Sequence, residues 1–364
     1  MRHWLTLAIL SPYAVHGLDI SPSYRVLDQL FFESGHWFGN EYPVVMGSSD
    51  WDQTLGYWQE ANLVEGMTNY LLLVPASATE GLRTNHTFIA AAVTRSFASF
   101  PAFWLINNDP EDTSYDDLLW WSLSYLRAHE LCLVKPDVLP CAVDRPDGST
   151  ALIEEARTIF DFVWLNSWSE STCGGGFGWS NSSKSYKNCV TNSQAVLVAN
   201  KLALLLHANE SAAYAQKADI AGNWIDSASL YTGVLLNDGV NPSGYNTSVC
   251  PNSNATVWTY CQGLALGFGV ARFLRSRDYG FLNRSILLAQ AVHETLSDRG
   301  VLYETGCDED ICAWFGPSFP RYCGAPLLRP THEAWDPTAS WSPSDWGSRR
   351  SLAVMAHVVP LPAF

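Results

Sequence analysis

The stretch from Thr113 to Leu131, TSYDDLLWWSLSYLRAHEL, sets the terms for everything around it. Leu119, Leu123 and Leu126 recur at helical spacing, and Leu118, Trp120, Trp121 and Tyr125 fill the other faces. A helix that is apolar nearly all round cannot lie on a surface, so other elements must enclose it. The chain has the means. Helical patterns run over about 50–74, 84–106, 150–167, 190–208, 211–229, 257–276 and 279–297, with a short one near 24–32. Turns between them are short, and the alternation expected of strands is almost absent. Pro101 should kink or end the second of these helices early. Inner-looking segments alternate with more amphipathic ones, as concentric helical layers require. The expected fold class is all-α, a toroid of helical hairpins.

The enclosed helix opens on two carboxylates, Asp116 and Asp117. Ser114 stands where an N-cap belongs, and Asp117 three residues on completes a capping-box-like pattern. Paired carboxylates are the instrument of glycoside hydrolysis, one acting as acid and the other as nucleophile or base. The helix N-terminus favours ionisation of one, while burial and like-charge repulsion keep the other protonated. Acidic residues in a first turn more often do no more than complement the helix dipole, so the pair alone does not decide.

Two further stretches have a distinct character. TCGGGFGWSNSSKSYKN at 172–188 carries three consecutive glycines, which permit close backbone approach and positive φ, followed by Trp179, Tyr186, Lys187 and Asn188. The spacing to the lysine is wrong for a phosphate-binding P-loop, and no strand precedes it. VWTYCQG at 257–263 puts Thr259, Tyr260 and Gln262 at a helix entrance, much as the Asp pair is placed. A core role for Tyr260 and a capping role for Gln262 are equally open readings.

A formal charge of -15 over 364 residues argues against nucleic acid or an anionic membrane as partner and suits a neutral substrate. Sixteen tryptophans fit sugar stacking and a helical core equally well. Residues 1–17 read as a signal peptide: Arg2 and His3, an apolar run from Trp4 to Leu10, then small residues. Six Asn-x-Ser/Thr sequons, at Asn85, Asn181, Asn209, Asn246, Asn254 and Asn283, agree with a secreted glycoprotein, extracellular or in a cell wall. Nine cysteines then imply disulfides, for which spacing suggests Cys132–Cys141, Cys173–Cys189, Cys250–Cys261 and Cys307–Cys312, with Cys323 left over. No metal-ligand cluster is apparent, and no further apolar run approaches the length of a membrane span.

Taken together, WQEAN (58–62), DDLLWW (116–121), CGGGFGW (173–179), YKN (186–188) and WTYCQG (258–263) resemble glycoside hydrolase family 76, the α-1,6-mannanases, in order and spacing over about residues 50–310. The resemblance implies an (α/α)6 barrel with a cleft at one end. It implies Asp116 as catalytic nucleophile and Asp117 as general acid/base of a retaining mechanism on α-1,6-linked mannose, with no metal or organic cofactor. It further implies that Trp179, Lys187, Tyr260 and Gln262 line or shape the sugar subsites, with Trp58 and Asn62 lining or bracing the cleft. The implied partner is α-mannan or a manno-oligosaccharide, and the expected state is a monomer. A cell-wall transglycosidase acting on GPI-anchor glycans and an inactive mannan-binding remnant are the alternatives.

One region departs from the family. An inner helix usual there is replaced by WFGPSFPRYCGAPLLRP at 314–330, whose Pro317, Pro320, Pro326 and Pro330 do not permit a helix. The division expected is a signal peptide (1–17), a catalytic domain (18–330) and an irregular tail (331–364). The helices that would close the barrel are not legible, as a shifted reading frame or an unspliced intron would produce.

Overall fold

The computed structural model describes residues 57–79, 86–107, 114–146, 148–243, 247–248, 250–252, 257–298 and 301–302. The expected signal peptide, the 24–32 helix, the 307–312 cysteine pair, Cys323, the proline-rich tail and the sequons at Asn85, Asn246 and Asn254 lie outside them.

Nine helices follow one another within the described residues: α1 (Tyr57–Leu73), α2 (His86–Ser99), α3 (Ala102–Asn107), α4 (Tyr115–Val134), α5 (Leu152–Ser167), α6 (Cys189–Leu205), α7 (Ala208–Ser227), α8 (Thr259–Ser276) and α9 (Tyr279–Thr295). The carboxylate helix α4 is interior as its composition demands, with Leu119, Trp121, Tyr125 and Leu126 fully buried. It packs against α1 on one side and α6 on the other, and α6 continues to α8. Outside this inner row, α5, α7 and α9 each fold back on the inner helix before them. α6 shows why an inner helix cannot be amphipathic: every residue from Cys189 to Ala203 is buried.

The inner helices point the same way. Ser124 of α4 donates to the Ala61 carbonyl near the start of α1, whereas Arg127 reaches Asn69 and Lys135 reaches the Leu71 carbonyl near its end. Likewise Glu130 late in α4 meets Lys201 late in α6, and Arg275 at the end of α8 lies 2.9 Å from Asn200. All four N-termini therefore open at one end of the ring. The other end holds a buried ionic knot, in which Glu130 binds Arg127 at 2.8 Å and also Lys201.

Local departures have physical causes. Pro101 does break the second helical pattern, and α3 restarts with the Ala102 N–H donated to the Glu155 carboxylate at 2.7 Å. Ser114 occupies the N-cap of α4, but its side chain caps nothing. It instead forms an isolated bridge with Ser180, and the Tyr115 N–H goes to the Trp179 carbonyl at 2.9 Å, so the capping box is replaced by a backbone clamp. The Cys132–Cys141 disulfide forms as spacing suggests. The other two local pairs do not: Cys173 bonds Cys250, leaving Cys189 and Cys261 as buried thiols. Cys189 and Cys261 both begin inner helices and face the interior, while Cys173 lies in a loop whose N–H already binds the Thr247 carbonyl.

Short strands accompany the helices. A hairpin of β1 (Ala142–Arg145) and β2 (Gly148–Ala151) leads into α5. β4 (Tyr231–Thr232) pairs with β5 (Leu235–Leu236), and β3 (Lys187–Asn188) pairs with β6 (Gly239–Val240) beside the carboxylates.

Candidate active site

Asp116 and Asp117 project from the first turn of α4 at the open end of the ring, half-buried as residues. The Asp116 carboxylate accepts the Trp179 indole N–H, yet its Oδ1 is buried with no hydrogen-bond partner among the described residues. Burial raises its pKa from 3.8 to about 7, against the pull of the backbone N–H groups of Asp116 and Asp117 and of the Trp179 indole. Asp238 adds its charge in the same upward direction. Asp117 is pushed well above the carboxylate range, first by burial and then by the negative charge of Asp116. Desolvation thus outweighs the helix N-terminus at both positions. A charge on Asp116 therefore helps to hold the proton on Asp117.

The glycine-rich loop forms one wall. Gly174, Gly175 and Gly176 take φ of 64°, 143° and 91°, a region closed to most side chains. Added Cβ atoms on Gly175 and Gly176 would lie 2.7 and 2.6 Å from the Trp224 ring, so the loop lies flat on that indole. Trp224 donates its N–H to the Cys173 carbonyl at 3.0 Å. The loop then delivers Trp179, 41% exposed, over the carboxylates.

The sequence-derived residues divide into two groups. Trp179 touches Asp116 directly, and the half-buried Tyr260 feels the charges of both Asp238 and Asp116 while stacking on Trp258 with ring centroids 5.8 Å apart. Lys187 and Gln262 lie behind the wall. Lys187 is fully buried, its ammonium donating to the Gly176 carbonyl at 2.8 Å, and burial lowers its pKa to about 8. Gln262, also fully buried, accepts from the Leu236 N–H at 3.0 Å and donates to the Leu236 carbonyl at 2.8 Å. These two brace the loops that carry the site. Trp58 and Asn62 stand at the start of α1, at the same end of the ring, with the Asn62 amide turned back to the Trp58 carbonyl at 2.9 Å.

Three residues not anticipated from sequence join them. Asp238 follows β5, accepts a hydrogen bond from the Tyr186 hydroxyl, and offers its carbonyl to the Cys189 N–H at 2.6 Å. Gly239 must be glycine here, since a Cβ would come within 2.7 Å of the Tyr186 ring. Gln194, fully buried on α6, donates to the Asp116 carbonyl at 3.3 Å, and its Oε1, like Thr191 Oγ1, has no hydrogen-bond partner among the described residues. Asp238 sits in a Gly/Asn/Pro-rich stretch that reads only as a turn, and Gln194 ends the polar run Thr191–Gln194 at the start of α6, where nothing in the sequence singles it out. Among the described residues, the only group of metal-ligand type is His129 with Cys132 and Cys141, whose sulfurs are tied in the disulfide.

A ring of helical hairpins whose inner helices open at one end, with adjacent acids there, is an (α/α)6 barrel. The chain belongs to glycosyl hydrolase family 76, whose profile matches residues 30–323. It is 27% identical over 222 residues to a putative mannan endo-1,6-α-mannosidase of Schizosaccharomyces pombe, covering 56% of this chain and 43% of that relative. The matched portion is thus less than half of the relative's length. The fold is shared with Dfg5 of Chaetomium thermophilum, solved in complex with glucosamine (TM-score 0.61, 17% identity, 93% of this chain and 88% of that one). It is also shared with the GH76A α-1,6-mannanase of Salegentibacter sp. HEL1_6 (TM-score 0.56, 16% identity, 84% and 79%). Among the described residues, no helix is long and apolar enough to cross a membrane.

Proposed function

We propose that this protein is a secreted, retaining hydrolase of α-1,6-mannosidic linkages in a mannan backbone. The observation that carries the reading is the placement of two adjacent acids, Asp116 and Asp117, in the first turn of α4 at the open end of the ring, where burial raises the pKa of both. Asp116, ionised, attacks the anomeric carbon. Asp117, which keeps its proton, gives it to the departing glycosidic oxygen. The glycosyl–Asp116 ester then breaks when Asp117, now a base, takes a proton from the attacking water. Trp179 holds the nucleophile in place through its indole N–H and offers its exposed face to a sugar ring. Tyr260 and Trp258 form an aromatic surface on the opposite helix entrance. The mannose specificity rests on the family and on what its named members act upon.

A second reading has one observation in its favour: the glucosamine held by the Chaetomium relative, which matches 93% of this chain. Glucosamine links the mannose chain of a GPI anchor to inositol, so the same acids would pass a glycan to a sugar hydroxyl instead of to water. Incubation of the secreted chain with unbranched α-1,6-mannan, with and without an oligosaccharide acceptor, separates the two. Release of α-configured short products, lost in Asp116→Asn and Asp117→Asn, supports the hydrolase. Elongated acceptor without net hydrolysis supports the transferase. A folded wild type that binds mannan but turns over nothing defeats both and leaves a binding protein.

A further inference from the structure

Three of the six sequons fall within the described residues, and all three asparagines are exposed. Asn209 lies in the first turn of α7, just after α6 ends, and Asn283 lies early in α9, just after α8 ends. Because the inner helices all start at the cleft, both of these sit at the far end of the ring. Asn181 does not. It follows Ser180, whose bridge to Ser114 pins the start of the carboxylate helix, and it lies two residues beyond Trp179, the indole that binds Asp116.

We propose that Asn181 carries an N-linked glycan that forms the outer lip of the cleft on its Trp179 side and limits which mannans reach the carboxylates. The local geometry suits the modification. Asn181 opens the Asn181-Ser182-Ser183 sequon in a tight turn, closed by the Ser183 N–H on the Ser180 carbonyl at 3.2 Å and the Tyr186 N–H on the Ser183 carbonyl at 3.3 Å. Its Oδ1 lies 3.5 Å from the Tyr115 hydroxyl, which is itself 3.3 Å from the Asn166 carbonyl of α5. Glycosylation consumes one N–H of the amide nitrogen and leaves Oδ1 to accept, so this contact survives. Tyr115 is buried and aimed at the outer helix, which places Asn181 on the outer shoulder of the rim and not over the carboxyls. A bulky hydrated chain there leaves a short linear oligosaccharide free to enter. It obstructs a polymer, and a branched polymer most of all, where the substrate runs across Trp179.

The inference rests on the secreted, mannan-directed reading, and its test separates the two. The full chain is expressed through a eukaryotic secretory route, and peptide mapping reads the occupancy of Asn181 whether or not the protein is active. Ser183→Ala removes the sequon while keeping Asn181 and the backbone of the turn; Asn181→Gln removes both. Trimming the wild type to single N-acetylglucosamine stubs gives a third form with no substitution. Each is compared on branched mannan, unbranched mannan and α-1,6-mannotriose, by KM and kcat if the chain turns over and by calorimetric affinity if it only binds. The expected result is an occupied Asn181 and a severalfold fall in KM or Kd for branched mannan in Ser183→Ala and in the trimmed protein. The trisaccharide and kcat should stay unchanged. An unmodified Asn181 in the secreted protein overturns the proposal, and so does an occupied Asn181 whose removal leaves the branched polymer's affinity as it was.

Discussion

Replacing Asp116 by Asn should stabilise the protein, and only above a definite pH. The carboxyl is moved from 3.8 to about 7, chiefly by burial. Between those values the folded state holds a proton that the unfolded chain has released, so stability falls as pH rises through the window and the loss is complete above about 7. The gap corresponds to an upper bound on the order of 4 kcal/mol at about 1.4 kcal/mol per pH unit. Solvent reaching the half-buried residue and the coupling to Asp117 reduce this, so a gain of roughly 1–3 kcal/mol at pH 8 is the working expectation. An asparagine carbonyl can still accept the Trp179 N–H, so the substitution removes the charge with little loss of contact. Scanning calorimetry of both proteins at pH 4, 5, 6, 7 and 8 reads the effect. At about 1.3 °C per kcal/mol for a chain of this length, the melting curves should coincide near pH 4 and separate by about 1–4 °C at pH 8, with the variant higher. A shallower slope should remain in the variant from Asp117. A difference independent of pH, or a wild type more stable than the variant at pH 8, would refute burial as the cause of the shift.

Asp238→Asn removes the charge facing Asp116 but leaves a group the Tyr186 hydroxyl can bond, so the acid limb of the kcat/KM profile should move to lower pH; an unmoved limb would remove Asp238 from the site's electrostatics. Gln262→Ala strips both partners from the Leu236 backbone and should cost about 1–3 kcal/mol for each buried group left unpaired, measured by urea titration. Gly176→Ala places a Cβ 2.6 Å from the Trp224 ring at a φ of 91°, and should cost at least about 1–3 kcal/mol by the same titration. Cys250→Ser opens the disulfide to Cys173 across a sequence separation of 77, worth roughly 4 kcal/mol by loop entropy, whereas Cys261→Ser should leave the number of disulfides unchanged on thiol titration.

What could be read from the residues was whatever repeats or collides. The helices declared themselves because an apolar segment such as α4 or α6 has one physical solution, enclosure, and Pro101 marked its own break. The glycine triplet announced a backbone that something presses against, though not that the something was Trp224, some fifty residues later. The disulfides were half legible. A nine-residue separation such as Cys132–Cys141 closes locally, but the partner of Cys173 is set by which loop lies beside it. Lys187 and Gln262 were marked as site residues, and both prove to hold loops from behind. Type and spacing identify a polar residue near a site without saying which way it faces. Asp238 and Gln194 had no periodic signal to carry them, since a turn aspartate and one of several polar residues at a helix start acquire meaning only from their neighbours.

The two ends of the inner row treat buried charge in opposite ways. At the far end Glu130 lies between Arg127 and Lys201, so each ion has a partner of opposite sign, although burial still outweighs that attraction at Arg127. At the open end the inner helices direct their N-termini toward the cleft, and among the described residues no ion pair joins the carboxylates to a cation; the buried ammonium of Lys187 goes to the Gly176 carbonyl. Had Lys187 reached Asp116, its charge would have pulled that carboxyl back down toward the ordinary carboxylate range. Holding that charge one layer back, on the loop that positions Trp179, leaves burial and like-charge repulsion to raise the pKa of both acids. The same burial that lets an acid keep a proton near neutrality therefore weakens the fold, and the cost of that arrangement is the stability that Asp116→Asn should recover.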